Sequence, residues 1–384
     1  MKSNRGLKIT TFLLLIFVLN ACKSVPFSRT ERVEEAQLAK ELLHKANRYW
    51  QGQHKPEQSA FWDWAAYHTG NMAAFRLTGN NDYLLYSTRW AAHNHWMGAR
   101  STDVSKWKYK TYGEGPEFVL FGDWQICFQT YIQLNELDPD PKKVARALEV
   151  LSHQIQTDSV DYWWWSDALY MVMPLMTQMY DLTGDVRYLD KLQAYYEAAV
   201  ALMYDEETGL FFRDAKYIYP KHKSSNGYKD FWSRGNGWVF AAYARVLERL
   251  PKSHPSYALF VKHYVRMAEA LSEAQQQEGH WTRSLLDPAH APGFETSGTA
   301  FFAYGYFWGM KNGFLSNRRY APTALKSWKY LSEVALSDDG RLGYVQPIGE
   351  RAIPGQRVNE HSQANFGVGA FLLAASAYCE WVTP

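Results

Sequence analysis

A lone carboxylate, Asp167, follows three consecutive tryptophans, Trp163, Trp164 and Trp165, at the head of a segment that turns apolar at helical spacing. Two chemistries fit that placement. An aspartate at a helix start can cap it, accepting from free backbone N–H groups. A carboxyl buried among aromatics can instead hold its proton to higher pH and serve as a general acid and then a base. Similar stretches recur along the chain: FWDW (61–64) with Asp63, FGDWQ (121–125) with Asp123, FWSRGNGW (231–238) with Trp232, Arg234 and Trp238, FETSGTA (294–300) with Ser297 and Thr299, and HSQANFGVG (361–369). Most of them set a carboxylate, an arginine or a hydroxyl beside Trp, Phe or Gly where an apolar run begins. Arg234 offers a planar two-pronged donor to a carboxylate, and Gly235, Gly237 and Gly298 permit close backbone approach. Each feature also has a structural alternative. The aspartates could be caps, the tryptophans packed core and Arg234 an ion-pair partner. Their joint occurrence favours a site, because capping needs neither tryptophan clusters nor an Arg-Gly-Asn-Gly run.

The elements that must position these residues follow from periodicity. Beyond residue 30 the apolar spacing is helical, with few alternating runs, and the helices are of two kinds. One kind is amphipathic and charged, near 32–49, 81–97, 142–156, 187–203, 255–274 and 320–336. The other is apolar nearly all round and must be buried on every side, near 64–78, 123–137, 167–183, 236–250, 297–313 and 364–380. The two kinds alternate at a period of roughly 50–65 residues, the mark of a repeat architecture. Joints such as RLTGNNDYL, DLTGDVRYL, ELDPDPKKV and ERLPKSHPSY carry the Gly and Pro that end one helix and the Asn, Asp or Ser that cap the next. The expected fold is all-α, an (α/α)6 barrel of six inner and six outer helices. An open solenoid is the structural alternative. Antiparallel hairpins would bring all six inner N-termini to one mouth, where free N–H groups and the helix dipoles favour an anionic ligand such as a carboxylated sugar.

Composition narrows the function. With 16 tryptophans, 26 tyrosines and a formal net charge of only +2, the chain has no basic field for nucleic acid. The twelve histidines and three cysteines show no HExxH or CxxC spacing, no G-x-S-x-G elbow occurs, and GEGPEF (113–118) lacks the setting of a phosphate loop. No cofactor or metal is implied. At the N-terminus, Lys2, Arg5 and Lys8 precede the short apolar run ITTFLLLIFVLNAC, which reads as an export signal. It ends in Leu19-Asn20-Ala21-Cys22, similar to a bacterial lipobox. The expected organisation is a signal peptide at 1–21, a lipidated Cys22 with a tether over 22–30, and one catalytic domain over 31–384. The protein would then be exported and held to a bacterial membrane, facing the periplasm, through the lipid alone. An ordinary cleaved signal is the alternative. Cys127 and Cys379 are left as a possible, unforced pair.

FGDWQICFQTYIQL, WWWSDALYMVMPLM, LFFRDAK, FWSRGNGWVFAAYARVLERLP, FETSGTAFFAYG and GRLGYVQPIG together resemble glycoside hydrolase family 105, the unsaturated rhamnogalacturonyl hydrolases, with family 88 more distantly similar. The resemblance covers nearly everything after residue 30. It implies an (α/α)6 barrel that acts on lyase-derived oligosaccharides ending in a 4,5-unsaturated uronate, by hydrating the ring double bond. It assigns Asp167 as the proton donor and Asp123 as the second pocket aspartate. It further assigns Trp165, Trp232, Arg234 and Trp238 to the sugar site, with Ser297 and Thr299 as hydroxyls near the uronate. One departure stands out: Arg213, in Leu210-Phe211-Phe212-Arg213, replaces the histidine of better-known members. A cation there suggests a more anionic substrate such as a sulfated ulvan fragment, unless Arg213 pairs with Asp214 or a neighbouring loop carboxylate. The rival readings are a polysaccharide lyase or inverting glycosidase on the same barrel, and a sugar-capturing lipoprotein with no chemistry.

Overall fold

The computed structural model describes residues 27–383. The expected signal peptide and Cys22 lie outside them. The described helices are α1 (Arg29–Gln53), α2 (Trp62–Thr78), α3 (Asn81–His93), α4 (Gly122–Gln125), α5 (Cys127–Leu137), α6 (Pro141–Gln156) and α7 (Ser166–Thr183). They continue as α8 (Arg187–Met203), α9 (Ser233–Leu247), α10 (Tyr257–Ala274), α11 (Thr296–Lys311), α12 (Asn317–Tyr330) and α13 (Asn365–Val382). A two-stranded antiparallel ribbon pairs β1 (Tyr204–Asp205) with β2 (Leu210–Phe211).

Local chemistry sets the boundaries. Ser28 and Glu31 form a reciprocal capping box at the start of α1. Gly79, at φ 67°, ends α2 in the left-handed region, and Asn80 then accepts from Asp82 N–H to start α3. Asp140 caps α6 ahead of Pro141, whose missing N–H is harmless at a first helical position. Pro174 sits inside α7, where it deprives the Tyr170 carbonyl of its helical donor. The Gln129 side chain, reaching over from α5, supplies the replacement by donating to the carbonyls of Tyr170 at 2.8 Å and Met171 at 2.7 Å.

The inner helices α2, α4 with α5, α7, α9, α11 and α13 pack each against the next, and α13 returns to α2, so the ring is closed. This is the (α/α)6 barrel, with α1, α3, α6, α8, α10 and α12 outside it. Closure depends on close approach. A Cβ on Gly70 of α2 would lie 2.1 Å from the Gly369 carbonyl oxygen of α13. At the C-terminal ends of the inner helices, Arg76 and Arg245 occupy last turns, where cations oppose the helix dipoles. Cys127 and Cys379 are buried and free, so the pairing left open by the sequence is not formed. Cys127 Sγ donates to the Trp124 carbonyl and Cys379 Sγ to that of Ala36. No helix of the described residues is long and apolar enough to cross a membrane.

Candidate active site

Four inner helices begin alike. Phe61, Phe121, Trp165 and Trp232 occupy the capping positions of α2, α4, α7 and α9, and none makes a side-chain cap bond. Two residues on, one step inside each helix, stand Asp63, Asp123, Asp167 and Arg234. The aspartates are therefore not N-caps. An aromatic side chain stands where a polar cap would, and the charged side chain follows it in the first helical turn.

Asp123 and Asp167 meet in one cavity of about 190 Å³, walled by Trp62, Tyr112, Trp165, Met171, Arg213 and the lip Ile348–Gly349–Glu350. Both are buried, at 5% and 8% exposure. Burial pushes the Asp167 carboxyl above its ordinary range, while the guanidinium groups of Arg213 and Arg234 pull it partly back. Asp123 is raised well above its ordinary value by burial and then by repulsion from Asp167. Both shifts favour the protonated form, the state an acid catalyst requires. Asp63, half-buried beside them, accepts from Asn365 Nδ2 at 2.7 Å, and its carboxyl is lifted by burial to about 6.

Arg213 is placed by backbone pairing. Its carbonyl accepts from Ser166 N–H at 2.8 Å, and Trp165 bridges Asp214, so the chain after β2 runs beside the start of α7. Its Nε lies 3.5 Å from Asp167 Oδ2, and its Nη1 donates to Asp214 at 2.6 Å and to Glu350 at 3.4 Å. The pairing with Asp214 and a loop carboxylate, held open from the sequence, is thus present, and the guanidinium still borders the cavity.

Five expected contact residues stand behind the cavity wall. Arg234 is 1% exposed and sandwiched between the rings of Trp232 and Phe366, each 4.6 Å from its guanidinium carbon. Its two terminal nitrogens donate to the carbonyls of Gln346 at 2.6 Å and Pro347 at 2.9 Å. Both prongs expected for a substrate carboxylate are engaged in holding the lip. Trp232 donates to the Gln346 side chain, and Ser297 Oγ and Thr299 Oγ1 donate to the Glu295 carboxylate and carbonyl. Glu295 in turn accepts from Gln346 N–H. Trp238 is fully buried, 4.3 Å from the ring of Phe301 and 4.9 Å from Tyr170. These residues position the lip and floor.

The tryptophan run divides among three environments. Trp163 packs in the core against Tyr195, Trp164 faces outward and is half-buried, and Trp165 lines the cavity. Among residues the sequence reading did not assign to the site, Trp62 carried a signal, lying beside Asp63 in FWDW. Ile348 lies in GRLGYVQPIG, a segment recognised only as a whole. Tyr112 and Glu350 sit on loops with no periodicity and had none. No group of three or more His, Cys, Asp or Glu side chains comes together as a metal site among the described residues.

Comparison with known proteins places this geometry in context. The family description Glycosyl Hydrolase Family 88 matches residues 35–381. A curated protein of Alteromonas sp. (strain LOR), named unsaturated 3S-rhamnoglycuronyl hydrolase, is 40% identical over 219 residues, 57% of this chain and about half (52%) of the relative's length. A protein of the same name from Formosa agariphila is 29% identical over 97% of this chain and 98% of its own. Among solved structures, a glycosyl hydrolase family 88 protein from Bacteroides vulgatus superposes with TM-score 0.88 at 53% identity, covering 90% of this chain and 99% of its own. A structure named a polysaccharide lyase does so with TM-score 0.87 at 56% identity, covering 91% and 97%. A family 105 structure and two from possible members of that family share the fold at 18% to 20% identity.

Proposed function

The chain belongs to glycosyl hydrolase family 88, and from that premise we propose that it is an unsaturated uronyl hydrolase. It removes the terminal 4,5-unsaturated uronate from rhamnose-containing oligosaccharides that a polysaccharide lyase has produced, from ulvan or rhamnogalacturonan. Its motifs follow the pattern of family 105 as well, which favours rhamnose-linked substrates. The observation that carries the reading is the buried Asp123–Asp167 pair, both carboxyls raised by burial in one cavity, with Arg213 against Asp167.

Asp167 gives its proton to carbon 4 of the enol ether, and the positive charge spreads over carbon 5 and the ring oxygen. Water adds at carbon 5 and returns a proton to the Asp167 carboxylate. The hemiketal so formed opens and releases the aglycone, so no carboxylate attacks the anomeric carbon, unlike the usual glycosidase pair. Asp123, the more strongly raised carboxyl, stays neutral beside it and hydrogen-bonds the sugar. Cys22 carries a lipid that tethers the exported enzyme to the membrane, which radiolabelled palmitate incorporation, abolished by Cys22→Ala, would test.

A second reading draws on the 56% identical structure named a polysaccharide lyase. A lyase needs a base near carbon 5, and Tyr112 borders the cavity. The sign of one signal separates the two. Hydration destroys the ultraviolet band of the conjugated uronate, elimination creates it, and a sugar-binding protein leaves it unchanged. Purified protein is mixed with lyase-digested ulvan and with lyase-digested rhamnogalacturonan. The expected outcome is decay of the band on at least one digest, slowed on the order of a hundredfold or more in Asp167→Asn. Growth of the band on intact polysaccharide would replace the hydrolase reading with the lyase.

A further inference from the structure

Two cavities share Arg213 at the mouth of the barrel, the catalytic one and an outer one beside Trp164. A third, of about 100 Å³, lies at the other end, between the C-terminal halves of the inner helices. Each inner helix contributes one polar side chain to it: Thr69 of α2, Gln133 of α5, Gln178 of α7, Arg245 of α9, Tyr304 of α11 and Ser376 of α13. All six are buried, none more than 8% exposed. Apolar side chains would pack the same space with no polar group to desolvate. Six polar ones around it therefore call for an occupant with polar atoms of its own.

Arg245 carries the one charge in that set. Its Nη1 donates to Tyr170 Oη at 3.2 Å, and among the described residues no carboxylate oxygen lies within 4 Å of its guanidinium. The other two arginines of this cavity do have such neighbours: Arg76 Nη2 is 3.6 Å from Glu136, and Arg249 Nη1 is 2.7 Å from Asp181. The carboxylates lining the cavity, Glu248 and Glu380, are exposed. Its buried part therefore presents a planar fork of donors with no anion to match. Three more atoms there are buried without a hydrogen-bond partner, Gln133 Oε1, Gln178 Oε1 and Ser376 Oγ. A hydroxyl both donates and accepts, so it satisfies an amide whichever edge faces it.

We propose that this rear cavity is a second binding site, for a small hydroxycarboxylate. The carboxylate lies against Arg245, and the hydroxyl against the amides of Gln133 and Gln178. A volume of about 100 Å³ matches roughly three waters at about 30 Å³ each, which suits a ligand of about five non-hydrogen atoms. The site is separate from the catalytic cavity, with which it shares no lining residue. The rings of Tyr170, Trp238 and Trp62 stand in succession from Arg245 to the catalytic cavity, 4.9 Å and 6.3 Å apart. The rear site thus stands independently of the hydrolase reading.

The test is calorimetric titration of the whole protein with three probes: glycolate, acetate and ethylene glycol. Glycolate is expected to bind with a Kd on the order of 1 mM. It should bind about fivefold more tightly than acetate, the worth of one added hydrogen bond to a buried group, and ethylene glycol should give no binding heat. Ala73→Leu fills the cavity without removing a polar group, and Arg245→Lys keeps the charge but loses the planar fork. Each should weaken glycolate about tenfold or more, while Arg213→Gln, at the catalytic cavity, leaves it unchanged. Near-ultraviolet circular dichroism checks that each variant keeps the fold. No glycolate binding well above 1 mM, roughly the expected Kd, overturns the site. Binding that Arg213→Gln abolishes and Ala73→Leu spares places the ligand in the catalytic cavity and overturns it equally. Equal affinity for acetate and glycolate overturns the hydroxycarboxylate as its ligand.

Discussion

Arg213 joins the buried Asp167 carboxyl to both cavities of the mouth, because one guanidinium lies against that carboxyl and borders each of them. Its positive charge holds the Asp167 carboxyl below where burial alone would put it. Arg213→Gln is therefore expected to raise that carboxyl further and keep the donor protonated to higher pH. The alkaline limb of the kcat profile should move upward, read by stopped assays across pH. Arg213→His is expected to change substrate preference between sulfated and pectic fragments, and unaltered preference and affinity would remove the residue from recognition. Asp63 makes a stability prediction. Its carboxyl lies higher in the folded protein, at about 6 against an ordinary 3.8. Its contribution is thus fully present below the unfolded value and is lost as pH rises through about 6, a change of up to ~3 kcal/mol. Melting temperatures measured between acid and neutral pH should fall for the native chain and flatten in Asp63→Asn, which still accepts from Asn365.

Among the elements, α7 depends on its neighbour. Pro174 removes one donor from its hydrogen-bond ladder, and the Gln129 amide of α5 donates to the Tyr170 carbonyl left bare and to that of Met171. Gln129→Met fills similar space without the donor, so urea unfolding should report a loss of about 1–3 kcal/mol, the cost of an unsatisfied buried carbonyl. The lip at 346–350 depends likewise on α9. Arg234 holds its carbonyls from below and Glu295 of the α11 start holds its amide. Arg234→Met keeps the packing between Trp232 and Phe366 but releases the lip. Hydrogen exchange over 345–350 is expected to quicken, with kcat/KM falling because Ile348, Gly349 and Glu350 no longer close the cavity.

For the whole molecule, closure of the ring is what distinguishes this barrel from an open array. α13 packs on α1, α2 and α11, joining the two ends of the chain. Open arrays fray from their terminal repeats, whereas a closed ring has no end from which to fray. Amides of α2 and α13 should therefore exchange as slowly as those of α7, in one cooperative transition. A chain ending at residue 364 is expected to lose folded structure throughout, seen as loss of the near-ultraviolet circular dichroism of its buried tryptophans.

Helix period, Gly and Pro punctuation and the all-round apolar segments were sufficient to number the helices, pair them and place the six polar exceptions at one end, because each of those features is local in the chain. FGDWQ and WWWSD likewise marked Asp123 and Asp167. Contacts between distant segments were not legible. The sequence could not say that Arg234 faces two carbonyls more than a hundred positions away, that Ser297 and Thr299 serve Glu295, or that Trp164 and Trp165 open onto different cavities. Arg, Ser, Thr and Trp are donors whatever their task, and which acceptor they meet is decided by how the helices close around them. The chain's local order thus determined the barrel and the carboxylates at its mouth. Only the tertiary packing decided which charged groups border the cavity and which are engaged in building its walls.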